Sequence, residues 1–313
     1  MTVYAIAATG TGGHIFPALS VARALHSQGH DIVWFGSENG LEAKYLKGFH
    51  YVPLACGPVV GNSGQFSRIV DLLKCVPKVQ EQFMRYSIEK TIVFGGYVSI
   101  PVGLAARGTK TRLFLHEQNA KPGRANKMIM PLAEKAFTAF PGVFEGRADK
   151  EVVTGNPLMF KPEWQQPNNI LVFGGSLGSG LLNQIMQGVA KNSQANFRII
   201  VGSRNMQEAA AKYADLSNVE VFDFIEDMHS EYQWADAVIS RAGALTIAEA
   251  QAMGLPMLLI PFAKAADNHQ EFNAMSVIGR SEVILESDIS EVAILNWIKN
   301  GPKSALERIL ALV

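Results

Sequence analysis

The chain has 313 residues, about twice the ~150 of a common domain, so two domains are expected, each with a core of its own. Hydrophobic residues make up 48% and charged residues 18%, which excludes a disordered tail protein. Lys and Arg number 28 against 28 Asp and Glu, so no broad positive field exists to grip a duplex, and no nucleic-acid partner is expected.

Short apolar runs alternate with helix-length segments along the whole chain, the pattern of parallel sheets covered by helices on both faces. Strands are predicted at residues 2–8, 31–36, 91–95, 111–115 and 135–139, then at 169–174, 197–201, 219–222, 236–240 and 257–260. The fold class is therefore α/β, with one doubly wound sheet in each half. Gly155-Asn156-Pro157 and the stretch from Pro162 to Pro167 cannot continue a helix, and they mark the linker between domains 1–158 and 159–313.

The first strand runs into Thr9-Gly10-Thr11-Gly12-Gly13-His14 and a helical pattern from Ile15 to Leu25. The strand at 169 runs into Gly174-Gly175-Ser176-Leu177-Gly178-Ser179 and a helix from about Gly180. Glycines let backbone N–H groups approach an anion, and a helix N-terminus adds about half a positive charge, so both turns suit a phosphate. Neither is a complete nucleotide fingerprint: Ile15 replaces the third glycine of a G-x-G-x-x-G, and the second turn has no Lys-Ser/Thr ending. In open α/β sheets such turns lie at the carboxyl ends of the strands, so two domains presenting them to each other would enclose a cleft.

His14 falls at a helix start, where the positive helix end disfavours imidazolium, so a neutral ring able to accept a proton is expected. Capping of its own turn is the structural alternative. His116-Glu117-Gln118-Asn119 follows a buried strand and should leave the sheet at its carboxyl edge. Ser240 to Glu249 joins a strand to a helix, and Glu249 could accept two hydrogen bonds from a ribose diol, although Thr246 and Glu249 also have capping-box spacing. Asp267-Asn268-His269-Gln270 could address sugar hydroxyls.

Residues 66–85 place Phe66, Ile69, Leu73 and Val76 at helical spacing with Arg68, Lys74, Lys78 and Arg85 interleaved. Such a helix suits an anionic membrane surface, or packing against the sheet. Cys56 and Cys75 form no close pair in sequence, and the seven histidines show no metal-ligand spacing, so neither a disulfide framework nor a zinc site is expected. No basic signal-peptide region precedes the apolar start, and no run approaches the ~18 apolar residues of a span, so a cytoplasmic protein is expected.

Taken in order, Gly10 to Ala18, Gly95-Gly96-Tyr97-Val98-Ser99, His116 to Asn119, Gly155-Asn156-Pro157, Gly174-Gly175-Ser176 and Gly243-Ala244-Leu245-Thr246 resemble the MurG family of peptidoglycan N-acetylglucosaminyltransferases over nearly the whole chain. The resemblance implies a GT-B fold, two Rossmann-like domains facing a cleft. It also implies transfer of N-acetylglucosamine from UDP-N-acetylglucosamine to the muramoyl C4 hydroxyl of lipid I, giving lipid II with inversion. The first domain would meet the acceptor and the inner face of the cell membrane as a peripheral protein, and the second would hold the UDP-sugar. By position, Thr11, Gly12, Gly13, His14 and Asn119 would line the acceptor wall. Ser176, Ile225, Ala244, Leu245, Thr246 and Glu249 would hold UDP, with His269 and Gln270 near the sugar. His14 is assigned as base, with Glu117 its nearest rival. No Asp-x-Asp pair occurs, so leaving-group charge should fall to the Ser176 turn, and no metal or other cofactor is expected.

The sequence departs from the family pattern at three places. Met159 stands where arginine is common, residues 56–62 lack the usual basic side chains, and a longer helical tail would be expected beyond Val313. A related glycolipid glycosyltransferase or UDP-sugar hydrolase is therefore the first alternative. A non-catalytic sugar-nucleotide-binding partner would fit Met159. A dinucleotide-dependent oxidoreductase would use the first glycine turn and Glu38, but lacks the third glycine.

Overall fold

In the computed structural model the chain divides into two compact units, Met1–Lys161 with Ser304–Val313, and Pro162–Lys303. The structure describes all residues except 39, 57–64, 176–178, 264–267 and 278–280, and the backbone only of 65–69.

The first unit is a seven-stranded parallel sheet. Its strands are β1 (Val3–Ala7), β2 (Asp31–Ser37), β3 (His50–Leu54), β4 (Lys90–Val93), β5 (Arg112–Glu117), β6 (Lys135–Thr138) and β7 (Glu151–Val153), in spatial order β3-β2-β1-β4-β5-β6-β7. Crossover helices α1 (Gly12–Ser27), α2 (Gln65–Arg85), α3 (Ser99–Gly108) and α4 (Arg124–Ile129) cover it. Alternation along β1 divides the core. Tyr4 and Ile6 face a cluster with Leu19 and Leu25 of α1, while Ala5 and Ala7 face Val79 and Phe83 of α2 and Val102 of α3. Each fully buried Ile or Phe in these layers contributes about 2 kcal/mol.

The second unit is a six-stranded parallel sheet of β8 (Asn169–Phe173), β9 (Asn196–Ile200), β10 (Val219–Phe222), β11 (Ala237–Ser240), β12 (Met257–Leu259) and β13 (Ser281–Val283), in order β10-β9-β8-β11-β12-β13. Its helices are α5 (Gly180–Lys191), α6 (Met206–Tyr213), α7 (Met228–Trp234), α8 (Ala244–Ala252), α9 (His269–Met275) and α10 (Glu291–Asn300). Ile170 and Val172 pack toward α5 and α10, and Leu171 and Phe173 toward α7 and α8.

The strand order reverses at β1/β4 in one sheet and at β8/β11 in the other. At such a switch point successive connections leave on opposite faces of the sheet, and a crevice opens at the carboxyl edge. Both glycine turns found in the sequence follow a strand at a switch point.

Two expectations differ from the structure. The division falls after Lys161, and the chain's last helix, α11 (Ala305–Leu310), belongs to the first unit. Ile309 is fully buried there beside the α1 face, and Ser304 caps the helix through a reciprocal box with Glu307. Gly155-Asn156 is likewise bound into the first unit and is not free linker: the Gly155 carbonyl lies 3.2 Å from His116 Nε2, and Asn156 Nδ2 donates to the Gln118 carbonyl at 3.2 Å.

Candidate functional site

In the first unit, α1 begins directly after the β1 turn with Thr11 as N-cap. The Thr11 carbonyl accepts from His14 N at 3.0 Å and Ile15 N at 3.2 Å, so Gly12 and Gly13 present first-turn N–H groups that have no partner within the helix. Gly95, two residues after β4, has φ +98°, and a Cβ there would lie 2.7 Å from His14 Cδ2 and 2.9 Å from Nε2. Only glycine lets the second turn rest against the His14 ring. Gly96 (φ +78°) is equally constrained, since its Cβ would sit 2.5 Å from the Thr9 carbonyl oxygen.

His14 is half-buried, and its Nδ1 is buried without a hydrogen-bond partner. Its pKa lies below the usual 6.5 chiefly because burial penalises the charged ring, while Glu117 pulls in the opposite direction. The shift runs in the direction expected from the sequence, but desolvation rather than the helix end is its main cause.

Glu117, at the end of β5, is 1% exposed and accepts four hydrogen bonds. Asn119 donates from its backbone N and from Nδ2, both at 3.0 Å to Oε1; Gly123 N and Asn126 Nδ2 donate at 2.9 Å to Oε2. The carboxylate therefore anchors the exposed Asn119 beside α4. His116 is fully buried with its pKa pushed down to about 4 by desolvation. As a neutral ring it donates from Nε2 to Gly155 O and accepts at Nδ1 from Gln118 Nε2 at 3.1 Å.

In the second unit, β8 leads through Gly175 (φ +87°) to Ser179, whose side chain caps α5 by accepting from Leu182 N at 3.4 Å. Ser176 lies outside the described residues. Gly243 is the N-cap of α8, so Ala244, Leu245 and Thr246 form its first turn, with Leu245 72% exposed. This geometry removes the capping box: Thr246 is inside the helix, and Glu249 Oε2 instead accepts from Tyr232 OH at 2.9 Å. Burial and the Glu249 carboxylate together push the Tyr232 pKa up. Ile225 packs on the core in the loop after β10, beside the exposed Phe224. His269 opens α9, and Gln270 Oε1 accepts from Phe262 N at 2.9 Å.

The residue missed in the sequence is Arg241. Only 8% exposed, it donates to Ser179 Oγ at 2.9 Å and to the Ile260 and Pro261 carbonyls at 3.2 and 3.3 Å, and it pairs with Glu286 at 2.6 Å. One guanidinium thus links the α5 cap, the β11 end and the loop after β12. A lone arginine directly after the apolar strand Ala237–Ser240 was its only signal.

Residues 4–138 match the glycosyltransferase family 28 N-terminal domain, and residues 169–304 match the family 28 C-terminal domain. The UDP-N-acetylglucosamine--N-acetylmuramyl-(pentapeptide) pyrophosphoryl-undecaprenol N-acetylglucosamine transferase of Shewanella loihica is 36% identical over 294 residues, 87% of this chain and 80% of that protein. The protein of the same name from Pseudomonas entomophila is 38% identical over 287 residues, 86% of this chain and 79% of its own. The crystal structure of Acinetobacter baumannii MurG aligns over 100% of this chain and 99% of its own, with TM-score 0.50 and 29% identity. The chain belongs to the MurG family.

It is a glycosyltransferase built from the two parallel-sheet domains of the GT-B fold. In the first unit the MurG-like motifs at Thr11–His14, Gly95–Gly96, His116–Asn119 and Gly155–Asn156 converge on the switch-point edge. In the second, those at Gly174–Gly175 and Gly243–Thr246 flank the other switch point. Met159, at the position where the family commonly has arginine, is 42% exposed with Leu158 and Phe160 exposed beside it. Of the loop 56–62 that lacks the family's basic residues, only Cys56 is among the described residues. No helix among the described residues is long and apolar enough to cross a membrane.

Proposed function

We propose that this protein transfers N-acetylglucosamine from UDP-N-acetylglucosamine to the muramoyl C4 hydroxyl of lipid I, forming lipid II for peptidoglycan. The observation that carries this reading is the match to both family 28 domains, in order, along one chain.

Inversion in one displacement needs a base for the acceptor hydroxyl and donors for the departing diphosphate. His14 suits the first task, being neutral near pH 7 and set in a glycine turn open to a substrate. Glu117 suits it poorly, because four N–H donors already occupy its two oxygens, so it acts by orienting Asn119. Thr11, Gly12, Gly13 and Asn119 would contact the acceptor and the transferred sugar. In the second unit the first-turn N–H groups of α8, at Ala244, Leu245 and Thr246, would receive the diphosphate with the Ser176 turn. Glu249 would hold the ribose, Ile225 would flank the base, and His269 and Gln270 would address the sugar hydroxyls. Arg241 would keep those elements in register without touching the substrate.

The acceptor's lipid explains the exposed face of α2. Leu73 and Met84 are 49% and 70% exposed, three turns apart on one face, with exposed Lys74, Lys78 and Arg85 beside them. The core takes Leu72, Val79 and Phe83; of the stripe read in the sequence, Val76 packs on the core and Leu73 is exposed, while the side chains of Phe66 and Ile69 lie outside the described residues. This face would lie on the anionic inner leaflet of the cell membrane.

The test is transfer of labelled N-acetylglucosamine in detergent micelles to lipid I, diacylglycerol or water, with and without EDTA. Lipid II formation unaffected by EDTA is expected. Preference for diacylglycerol or water would replace this reading with the glycolipid or hydrolase alternative.

A further inference from the structure

Cys56 and Cys75, far apart in sequence, meet in the first unit. Cys56 lies two residues beyond β3, its N–H donating to the Leu54 carbonyl at 2.9 Å, and packs on the core. Cys75 sits in α2 between the buried Leu72 and Val79. Both half-buried thiols line one cavity of about 590 Å³, together with Glu38, Lys74, Lys78 and Tyr97. Burial, and after it the neighbouring Cys75 and Glu38 side chains, pushes the Cys56 pKa up to about 12.

We propose that Cys56 and Cys75 are a redox-modification site, a thiol pair that peroxide converts to a reversible disulfide tying α2 to the end of β3. Burial and its neighbours keep the proton on Cys56, so oxidation starts at the other thiol of the cavity, Cys75. The Cys75 thiolate attacks a peroxide oxygen, the O–O bond breaks, and the hydroxide released takes up a proton as water. The Cys56 sulfur then attacks the sulfenic sulfur of Cys75; the S–O bond breaks, and the hydroxyl leaves with the Cys56 proton as a second water. Two thiols and one peroxide give one disulfide and two waters. Transient, sensing disulfides of this kind are the form found in reducing compartments.

The cavity adjoins the site through Tyr97, two residues after the glycine that touches His14. On the acceptor reading given above, oxidation therefore slows transfer to the lipid acceptor and leaves UDP binding by the second unit unchanged.

The experiment treats the full chain with hydrogen peroxide, counts free thiols, and maps peptides without reduction. Wild type should fall from two thiols to none, yield a peptide joining Cys56 to Cys75 within one chain, and recover both with dithiothreitol. Cys56→Ser should leave a dimedone-reactive sulfenic acid on Cys75, whereas in Cys75→Ser the remaining Cys56 should resist the same dose. Unchanged melting curves and UDP-induced shifts confirm that the variants fold. Separate sulfinic acids on the two residues, a bond between two chains, or no loss of thiol would overturn the proposal. A linked peptide with unchanged lipid transfer overturns the acceptor consequence alone.

Discussion

The two units solve one geometric problem with different chemistry. Each sets a glycine turn and a helix start at the carboxyl edge beside a switch point, yet the first places a titratable ring there and the second a fixed charge. His14 is partly desolvated and feels the opposing charge of Glu117, which leaves its protonation adjustable. Arg241 is held by a carboxylate, a hydroxyl and two carbonyls. The parallel sheet supplies the position, and the side chains after its strands decide whether that position moves a proton or organises a charge.

The division of labour is broken most severely by His14→Ala. Transfer should fall roughly 10²- to 10⁴-fold, the usual worth of a positioned base, while UDP still stabilises the protein in a thermal shift. Retained transfer would remove His14 from the mechanism. Arg241→Met attacks the other unit. It leaves Glu286 and Ser179 without their cation, so unfolding in urea should show a loss of about 3 kcal/mol, and the UDP-induced shift should shrink. An unchanged unfolding curve would mean that the hub is ornamental. Gly95→Ala sharpens the comparison within the first unit. Its methyl group, strained at φ +98°, must displace the His14 ring, and kcat should drop about tenfold with UDP binding intact.

A further effect is global and small near neutral pH. Fully buried His116 resists protonation down to about pH 4, whereas its unfolded counterpart protonates near 6.5. Stability from this residue is thus present above pH 6.5 and drains away as pH falls toward 4, at about 1.4 kcal/mol per pH unit. Urea midpoints of wild type and His116→Gln across that window check the slope, which the variant should lose in part.

All ten strands read from the sequence occur, with ends shifted by a residue or two. The three that went unread, β3, β7 and β13, are sheet edges. Half-buried and short, with polar residues and Pro53 among them, they carry little hydrophobic periodicity. The edge strand β10 was legible because Val-Glu-Val-Phe alternates. Glycine turns were legible too, since Gly10, Gly95, Gly96 and Gly175 all adopt positive φ that other residues avoid. Contacts between distant segments left no local trace: Arg241 with Glu286, Cys56 with Cys75, Ile309 on the first core, and Gly95 against His14.

The central claim is that the first unit supplies a neutral imidazole as base, and the pH dependence of kcat/KM for the lipid acceptor tests it most directly. The acid limb should have its midpoint below 6.5, because burial lowers the His14 pKa. It should move lower still in Glu117→Gln, which removes the charge that opposes that shift. A midpoint above 6.5, or an upward movement in that variant, would contradict the account.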